Sequence, residues 1–369
     1  MRGRLAFFVT VIQLILFAGH ASLYETVVYF WPVQSDLAIL YLRIALAVLS
    51  VTFVTASLLA FRYSNVVVRI YYTLAAGWLG TFSFLFFASC ALWLVYGAAS
   101  LAGLHPDRQR WAIVFLAAAL LLSAYGIINA AATRVKRITV KLDNLPDVWR
   151  GRTATLVSDV HLGHVRNLGS IRRLVAKVGR LKSDIVFITG DLYDGTAADF
   201  NGLAAPWSAL NVPLGQYFVL GNHEGFADST RYLNAVSRAG IRVLNRDKVE
   251  IDSLQLIGVR YHDATHAEHF RSVLQAIGID RDRPSILLTH APDHVPVSAD
   301  EGISLQLSGH THGGQFFPFN LFVKRMYGPF SYGLKRLGRL QVYTTYGAGT
   351  WGPPMRVGTD AEIVLIRFE

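Results

Sequence analysis

The sequence predicts a chain of the α/β class, in which an N-terminal region of four transmembrane helices precedes an α/β sandwich with two mixed sheets. Three observations carry this expectation. Polarity is divided: residues 1–133 hold seven Lys and Arg and three acids, out of 35 and 25 in the 369-residue chain. After about Asn144, short apolar β-rich runs alternate with helical stretches. Clusters of Asp, Asn and His follow the carboxyl ends of five of those runs.

The apolar runs are Leu5 to Leu23, Leu37 to Phe61, Ile70 to Ala98 and Trp111 to Ala131. Crossing a hydrocarbon core takes roughly 20 helical residues, and each run meets that length. Inside lipid only a helix or a closed barrel satisfies its backbone, and these runs lack the alternation of barrel strands. The first run also has features of a secretory signal, with Arg2 and Arg4 ahead of it and small residues within Phe17 to Ser22. Few ionisable groups interrupt the spans. Arg43 is close enough to a span end to snorkel and His20 lies near another, so anchoring is expected rather than transport. Cys90, the single cysteine, sits in an apolar run and excludes an intrachain disulfide or a thiolate metal cluster.

Loop charge sets the expected orientation. With the N-terminus inside, Arg2, Arg4, Arg62, Arg69, Arg134, Lys136, Arg137 and Lys141 are cytoplasmic, against Arg108 and Arg110 on the other side. Four crossings then return the C-terminal part to the cytoplasm. Residues 134–150 are expected to form a basic juxtamembrane linker facing anionic headgroups, between a transmembrane region at 1–133 and a soluble domain at 151–369. The net charge of +10 fits that surface better than nucleic acid, because the basic residues form no aromatic-interleaved helix.

In the soluble part, Thr153 to Ser158, Asp184 to Thr189, Gln216 to Leu220, Ser285 to Thr289 and Ser304 to Ser308 read as buried strands. Ser170 to Leu181 and Ser229 to Ala239 read as helices between them, and Ile251 to Val259, Leu340 to Tyr346 and Ala361 to Phe368 as further strands. Open α/β sheets gather ligands beyond the carboxyl ends of their strands. There lie Asp159 and His161, then Asp191, then Asn222, His223 and Glu224, then His290, then His310 and His312. Carboxylates, an amide carbonyl and neutral imidazoles together suit Mn, Fe, Zn or a similar divalent ion. The donors are too many for one ion. Two ions ~3.5–4 Å apart clamp the attacking and leaving oxygens of an in-line displacement at phosphorus, and Asp191, alone on its strand end, is the natural shared ligand.

In order, Asp-Val-His, Gly-Asp, Gly-Asn-His-Glu, a lone His and Gly-His-Thr-His occupy residues 159–312. This pattern resembles the calcineurin-like metallophosphoesterase superfamily. The resemblance implies a metallophosphoesterase-type sandwich with one metal held by Asp159, His161, Asp191 and His312, and a second by Asp191, Asn222, His290 and His310. It implies that His223 is not a ligand but protonates the leaving oxygen or stabilises phosphoryl charge. Gly-His-Thr-His-Gly-Gly-Gln at 309–315 and Gly-Pro-Pro-Met-Arg at 352–356 also resemble membrane-associated bacterial phosphoesterases, some of which cleave UDP-2,3-diacylglucosamine. On that likeness the location is a bacterial-type inner or cell membrane, with membrane lipids and a phosphate-containing small molecule or lipid as partners.

Other residues carry weaker expectations. Asp194 is a candidate to orient a ligand histidine, or a solvated turn residue. Glu224 is expected to fix its loop through backbone hydrogen bonds. His164 and Arg166 are candidates for phosphate contact or an ordinary surface loop, and His262, His266 and His269, near Asp263, for a loop and helix face. Phe316 to Lys335 is rich in aromatics with Lys324, Arg325 and Lys335, which suggests membrane-interface contact or an acyl-chain groove, against a buried loop packed on the domain. The expected activity is hydrolysis of a phosphodiester or pyrophosphate bond, with monoesterase or protein phosphatase activity, or a degenerate metal-binding scaffold or sensor, as the competing readings.

Overall fold

The structure, a computed structural model, describes residues 2–32, 35–225 and 229–369. It divides into a helical unit, residues 1–128 with Gly352–Met355, and a second unit of Asn129–Trp351 with Arg356–Glu369.

The helical unit contains α1 (Arg2–Phe30), α2 (Asp36–Ala60), α3 (Val66–Leu101) and α4 (Arg108–Ala131), the last of which runs on into the second unit. All four are long and apolar enough to cross a membrane. Their ends differ from the apolar runs because caps, not hydropathy, stop a helix. Ser35 accepts the Ala38 N–H ahead of α2, and Asn65 accepts the Val68 N–H ahead of α3. Helix α1 continues past Leu23 through Glu25, a change of polarity that breaks no backbone bond. The side chains of Arg2 and Arg4, two of the charges that set the expected orientation, lie outside the described residues. His20 is buried between α1 and α3: Nδ1 donates to the Leu16 carbonyl at 2.8 Å, and Nε2 accepts the Trp78 indole N–H at 3.0 Å. Both ring nitrogens are thereby engaged, as an inert packing histidine requires.

The second unit is built from β1 (Arg134–Val140), β2 (Thr153–Val157), β3 (Ile185–Ile188), β4 (Gln216–Phe218), β5 (Ile241–Val243) and β6 (Asp247–Ile251), then β7 (Leu254–Val259), β8 (Ser285–Thr289), β9 (Leu305–Ser308), β10 (Gly333–Leu337), β11 (Leu340–Thr344) and β12 (Glu362–Phe368). Its helices are α5 (Leu168–Leu181), α6 (Phe200–Ala204), α7 (Thr230–Arg238), α8 (Tyr261–Ala264), α9 (Ala267–Ile277), α10 (Val295–Asp300) and α11 (Phe319–Tyr327). The strands form two six-stranded sheets, ordered β1-β12-β2-β3-β4-β5 and β10-β11-β9-β8-β7-β6. Both are mixed. In the first only β12–β2 is antiparallel, and in the second the edge pairs β10–β11 and β6–β7 are.

Alternation along the strands separates the layers. Ala154, Leu156 and Phe187 from the first sheet meet Leu256, Leu288 and Leu307 from the second in one dry interior. The opposite face of the first sheet, with Val157 and Ile188, is covered by Ile171 and Leu174 of α5 and Val236 of α7. On the outer face of the second, Ile257 and Leu287 pack against Phe270 and Leu274 of α9. This arrangement stacks helix, sheet, sheet and helix, and it brings the C-terminal ends of β2, β3, β4, β8 and β9 to a common edge.

Four strands were not foreseen, among them β10 (Gly333–Leu337), part of which falls in the Phe316 to Lys335 stretch expected as a patch or a loop. Residues 134–150, expected as a linker, contain β1, which pairs in parallel with β12 from Arg134 to Val140. An edge strand carries charge on its open side and reads as a polar linker in sequence. The run Ile251 to Val259, expected as one strand, is the end of β6 and all of β7, folded back at Asp252 and Ser253, both with positive φ (47° and 68°). Neither residue is a glycine, so the hairpin lacks its usual sequence signal. The short β5 escaped notice for want of length. Phe187→Ala is expected to destabilise this unit by about 3–5 kcal/mol, because the cavity opens between two sheets that cannot collapse. An unfolding free energy from urea titration lowered by less than about 1 kcal/mol would contradict the sandwich packing.

Candidate metal centre

Five strand ends deliver the candidate ligands, and the backbone aims them by an uncommon conformation. Asp159, His161, Asp191, His310 and His312 all have positive φ, between 47° and 70°. Asp and His enter this region more readily than most residues, yet each such turn costs on the order of 1 kcal/mol. The turns persist because neighbouring bonds hold them: Asp159 N–H donates to the Gly190 carbonyl at 3.1 Å, and His161 N–H to the Asp191 carbonyl at 3.1 Å. Two glycines permit the close approach. A Cβ on Gly221 would run into the Asp191 carboxylate, and one on Gly309 into Asp159 and Ser158.

The result is two groups of converging donor atoms. In the first, His161 Nε2 and His312 Nε2 are 3.0 Å apart, with Asp159 Oδ1 4.0 Å from the former and 3.5 Å from the latter. In the second, His290 Nε2 has Asn222 Oδ1 at 3.0 Å, His310 Nδ1 at 3.1 Å and Asp191 Oδ2 at 3.2 Å. The same Asp191 oxygen is 3.9 Å from His161 Nε2, so it faces both groups. His223 lies beside these atoms and makes a further group of converging donors with His161 and Asp194. Its Nε2 is 3.9 Å from Asp191 Oδ2, and its Nδ1 donates to the Asp194 carbonyl at 2.9 Å.

Hydrogen-bond chemistry tests whether this arrangement suits cations. His290 Nδ1 lies 2.7 Å from the Thr189 carbonyl, an acceptor, so Nδ1 carries the ring proton and Nε2 is a lone pair. That lone pair meets an amide oxygen and a carboxylate oxygen, both acceptors, and His310 Nδ1, whose role follows its tautomer. Two oxygens facing a nitrogen lone pair repel it, and a cation between them would relieve that repulsion. Burial opposes charge on His290, but Asp191 and Asp159 outweigh it and raise the ring to about 10. Burial likewise works to raise Asp191, and His290 beside it holds the carboxyl well below the usual range. Burial, reinforced by His290, pushes His310 down to about 3, leaving it a neutral ligand base. Oxygen and nitrogen donors of this mixture fit divalent transition ions.

Three further side chains brace the site. Glu224, fully buried, accepts the backbone N–H groups of Asp191, Tyr193 and Gly221 at 2.9–3.1 Å and so ties two ligand loops together. This is the backbone role expected for it. Asp194 is buried rather than solvated; its carboxylate lies 3.6 Å from His161 Nδ1 and burial pushes it up to about 7. Arg356 was missed as a site residue. Its buried guanidinium donates to the carbonyls of His312 at 3.0 Å, Tyr346 at 2.6 Å and Gly349 at 2.7 Å, locking the last ligand turn to the neighbouring loop. Its place in the Gly-Pro-Pro-Met-Arg run was the only signal.

The other sequence candidates fall elsewhere. His164 is buried against Thr196 Oγ1, and Arg166 donates to the Ala130 carbonyl, so neither belongs to an exposed loop. Asp263 is clamped by Arg246, Arg260 and His269 in an ion cluster rather than a metal group. Around the centre the nearby rings are aromatic: Tyr261 and Tyr327 lie 5.2 and 6.2 Å from His310, and Trp351 lies 6.0 Å from His223.

Residues 153–314 match the family model of the calcineurin-like phosphoesterases. A transmembrane protein with metallophosphoesterase domain from Danio rerio is 32% identical over 273 residues, covering 70% of this chain and 62% of that protein. A metallophosphoesterase from Aquifex aeolicus is 33% identical over 258 residues, covering 68% of this chain and 97% of that protein. Animal and bacterial proteins are both among the relatives, so the likeness is broader than a bacterial branch. The chain spans less than two thirds of the Danio rerio protein. Because Gly309 leaves room for Asp159, Gly309→Ala is expected to weaken divalent-metal binding by roughly 10–100-fold, as changes that misorient a ligand do. Metal content of the purified chain, measured after equilibrium dialysis, checks this; wild-type affinity would show that the close approach does not hold the carboxylate.

Proposed function

This chain belongs to the calcineurin-like metallophosphoesterase family, and from that premise we propose that it is a membrane-anchored dinuclear phosphoesterase that hydrolyses a phosphodiester or pyrophosphate bond. The observation that carries this reading is the pair of acceptor clusters sharing one Asp191 oxygen. In it, Asp159, His161, Asp191 and His312 would hold one ion, and Asp191, Asn222, His290 and His310 the other. Two divalent ions there would supply Lewis acidity, polarising phosphoryl oxygens and making water nucleophilic near neutral pH.

The chain's own groups do the rest. Asp191 fixes the spacing of the two clusters, while Glu224 and Arg356 keep the turns from relaxing when substrate binds. His223, its Nδ1–H spent on the Asp194 carbonyl, is oriented with Nε2 towards the centre; burial lowers this ring and Asp191 opposes that, so Nε2 first takes up a proton and then delivers it to the departing oxygen. Tyr261, Tyr327 and Trp351 offer uncharged ring surface beside the ligands. Such a rim favours a diester or pyrophosphate bearing a bulky apolar or aromatic group over a small monoester dianion. Taken with the four apolar helices, this supports an amphiphilic phosphate, such as a lipid-linked or nucleotide-sugar lipid compound. The loop charges support a cytoplasmic placement of the catalytic unit.

Replacing Asp191 or Asn222 by Ala is expected to abolish hydrolysis of bis(p-nitrophenyl) phosphate with Mn or other divalent ions. His223→Ala is expected to lower kcat by roughly 10²–10⁴-fold while the metal content stays at the wild-type level. Loss of metal in that variant would refute the assignment of His223 as an acid. Orientation is checked separately: a fluorescent protein fused after Glu369 is expected to fold and emit from the cytoplasmic side, and a periplasmic or luminal signal would reverse the topology.

A further inference from the structure

Directly after the last ligand turn, α11 departs from the pattern of the other helices of its unit. It contains no buried residue at all. Phe319, Phe322 and Met326 recur at i, i+3 and i+7 on one side of it and are 47%, 63% and 72% exposed. Leu321 and the preceding Phe317, each 54% exposed, widen the apolar surface. Lys324 and Arg325 are exposed on the same two turns, and Lys335 and Arg336 on the nearby β10. Among the described residues of this unit, no other helix presents so many large apolar side chains to solvent.

We propose that α11 and the adjoining Phe317 form a membrane-interface surface that seats on an anionic bilayer. Two features of the chain favour lipid over a protein partner. A short helix with large apolar side chains and interspersed Lys and Arg is the composition that inserts its apolar side at the headgroup boundary while the cations remain with the phosphates. The same polypeptide also carries four helices able to cross a membrane, so a bilayer is always within tethering distance and a weak surface is enough to engage it. The surface is coupled to the site. Tyr327 at the end of α11 lies 6.2 Å, ring to ring, from His310, and Thr311 Oγ1 donates to the Ser331 carbonyl at 3.0 Å. Seating α11 therefore brings the ligand turn 310–312 to the level of the headgroups.

The test needs no hydrolysis, so its failure is separable from failure of the proposed reaction. The full chain in a Cys90→Ala background, with Phe322→Cys or Met326→Cys, is labelled with an environment-sensitive fluorophore and placed one copy per nanodisc containing doxyl-labelled lipid. Emission at both positions is expected to fall by roughly half or more in discs with phosphatidylserine, and to be little changed for Glu268→Cys on α9, at insertion depths of ~5–10 Å. Combining Lys324→Glu with Arg325→Glu is expected to reduce the quenching to that seen in phosphatidylcholine discs. Unquenched emission at 322 and 326 would overturn the proposal, as would a blue-shifted probe that lipid does not quench, which would mean that protein covers this side. Quenching that ignores the charge reversal would overturn the anionic preference.

Discussion

Everything at the C-terminal edge of the two sheets depends on one electrostatic constraint: buried acceptors that cannot satisfy one another. Asp159 and Asp191 are withdrawn from water together with the imidazoles of His161, His290 and His312. Left alone, such a group carries a heavy desolvation cost and internal repulsion. The elevated His290 and the depressed Asp191 are two expressions of the same need for positive charge at this point.

The surrounding fold is organised to keep the acceptors converged despite the repulsion. Positive φ at five ligand positions turns each side chain inward immediately after its strand. Backbone strain of this kind survives only where neighbours leave no alternative. Glu224 supplies that restraint from the first sheet by binding three N–H groups, and Arg356 from the second by gripping three carbonyls. One is an anion collecting donors and the other a cation collecting acceptors. Both are buried enough for each hydrogen bond to count, and Arg356 also touches the His312 ring, its Nη2 3.1 Å from Nδ1.

The helical unit answers to a different solvent. Its helices keep polar groups rare, and both nitrogens of His20 are engaged, which fits an anchor better than a conduit. The α/β unit reverses the logic on α11, where large apolar side chains remain outside a well-packed core. A soluble domain avoids such a surface unless something covers it.

Much was legible in the sequence because it depends on local pattern. Apolar run lengths revealed four spans, short β-rich runs revealed the strands that carry ligands, and Asp, Asn and His at their ends revealed the chemistry. What sequence blurred was whatever a local pattern does not encode. The hairpin at Asp252 and Ser253 lacks a glycine, β1 looks like a basic linker because it is a charged edge, and Arg356 declares itself only through its three carbonyl partners. The identities and order of the donor residues were thus determined by sequence alone. Which donor atoms face one another was decided by the tertiary structure, since His161 and His312 meet across 151 residues only when two separate sheets stack with their strand ends aligned.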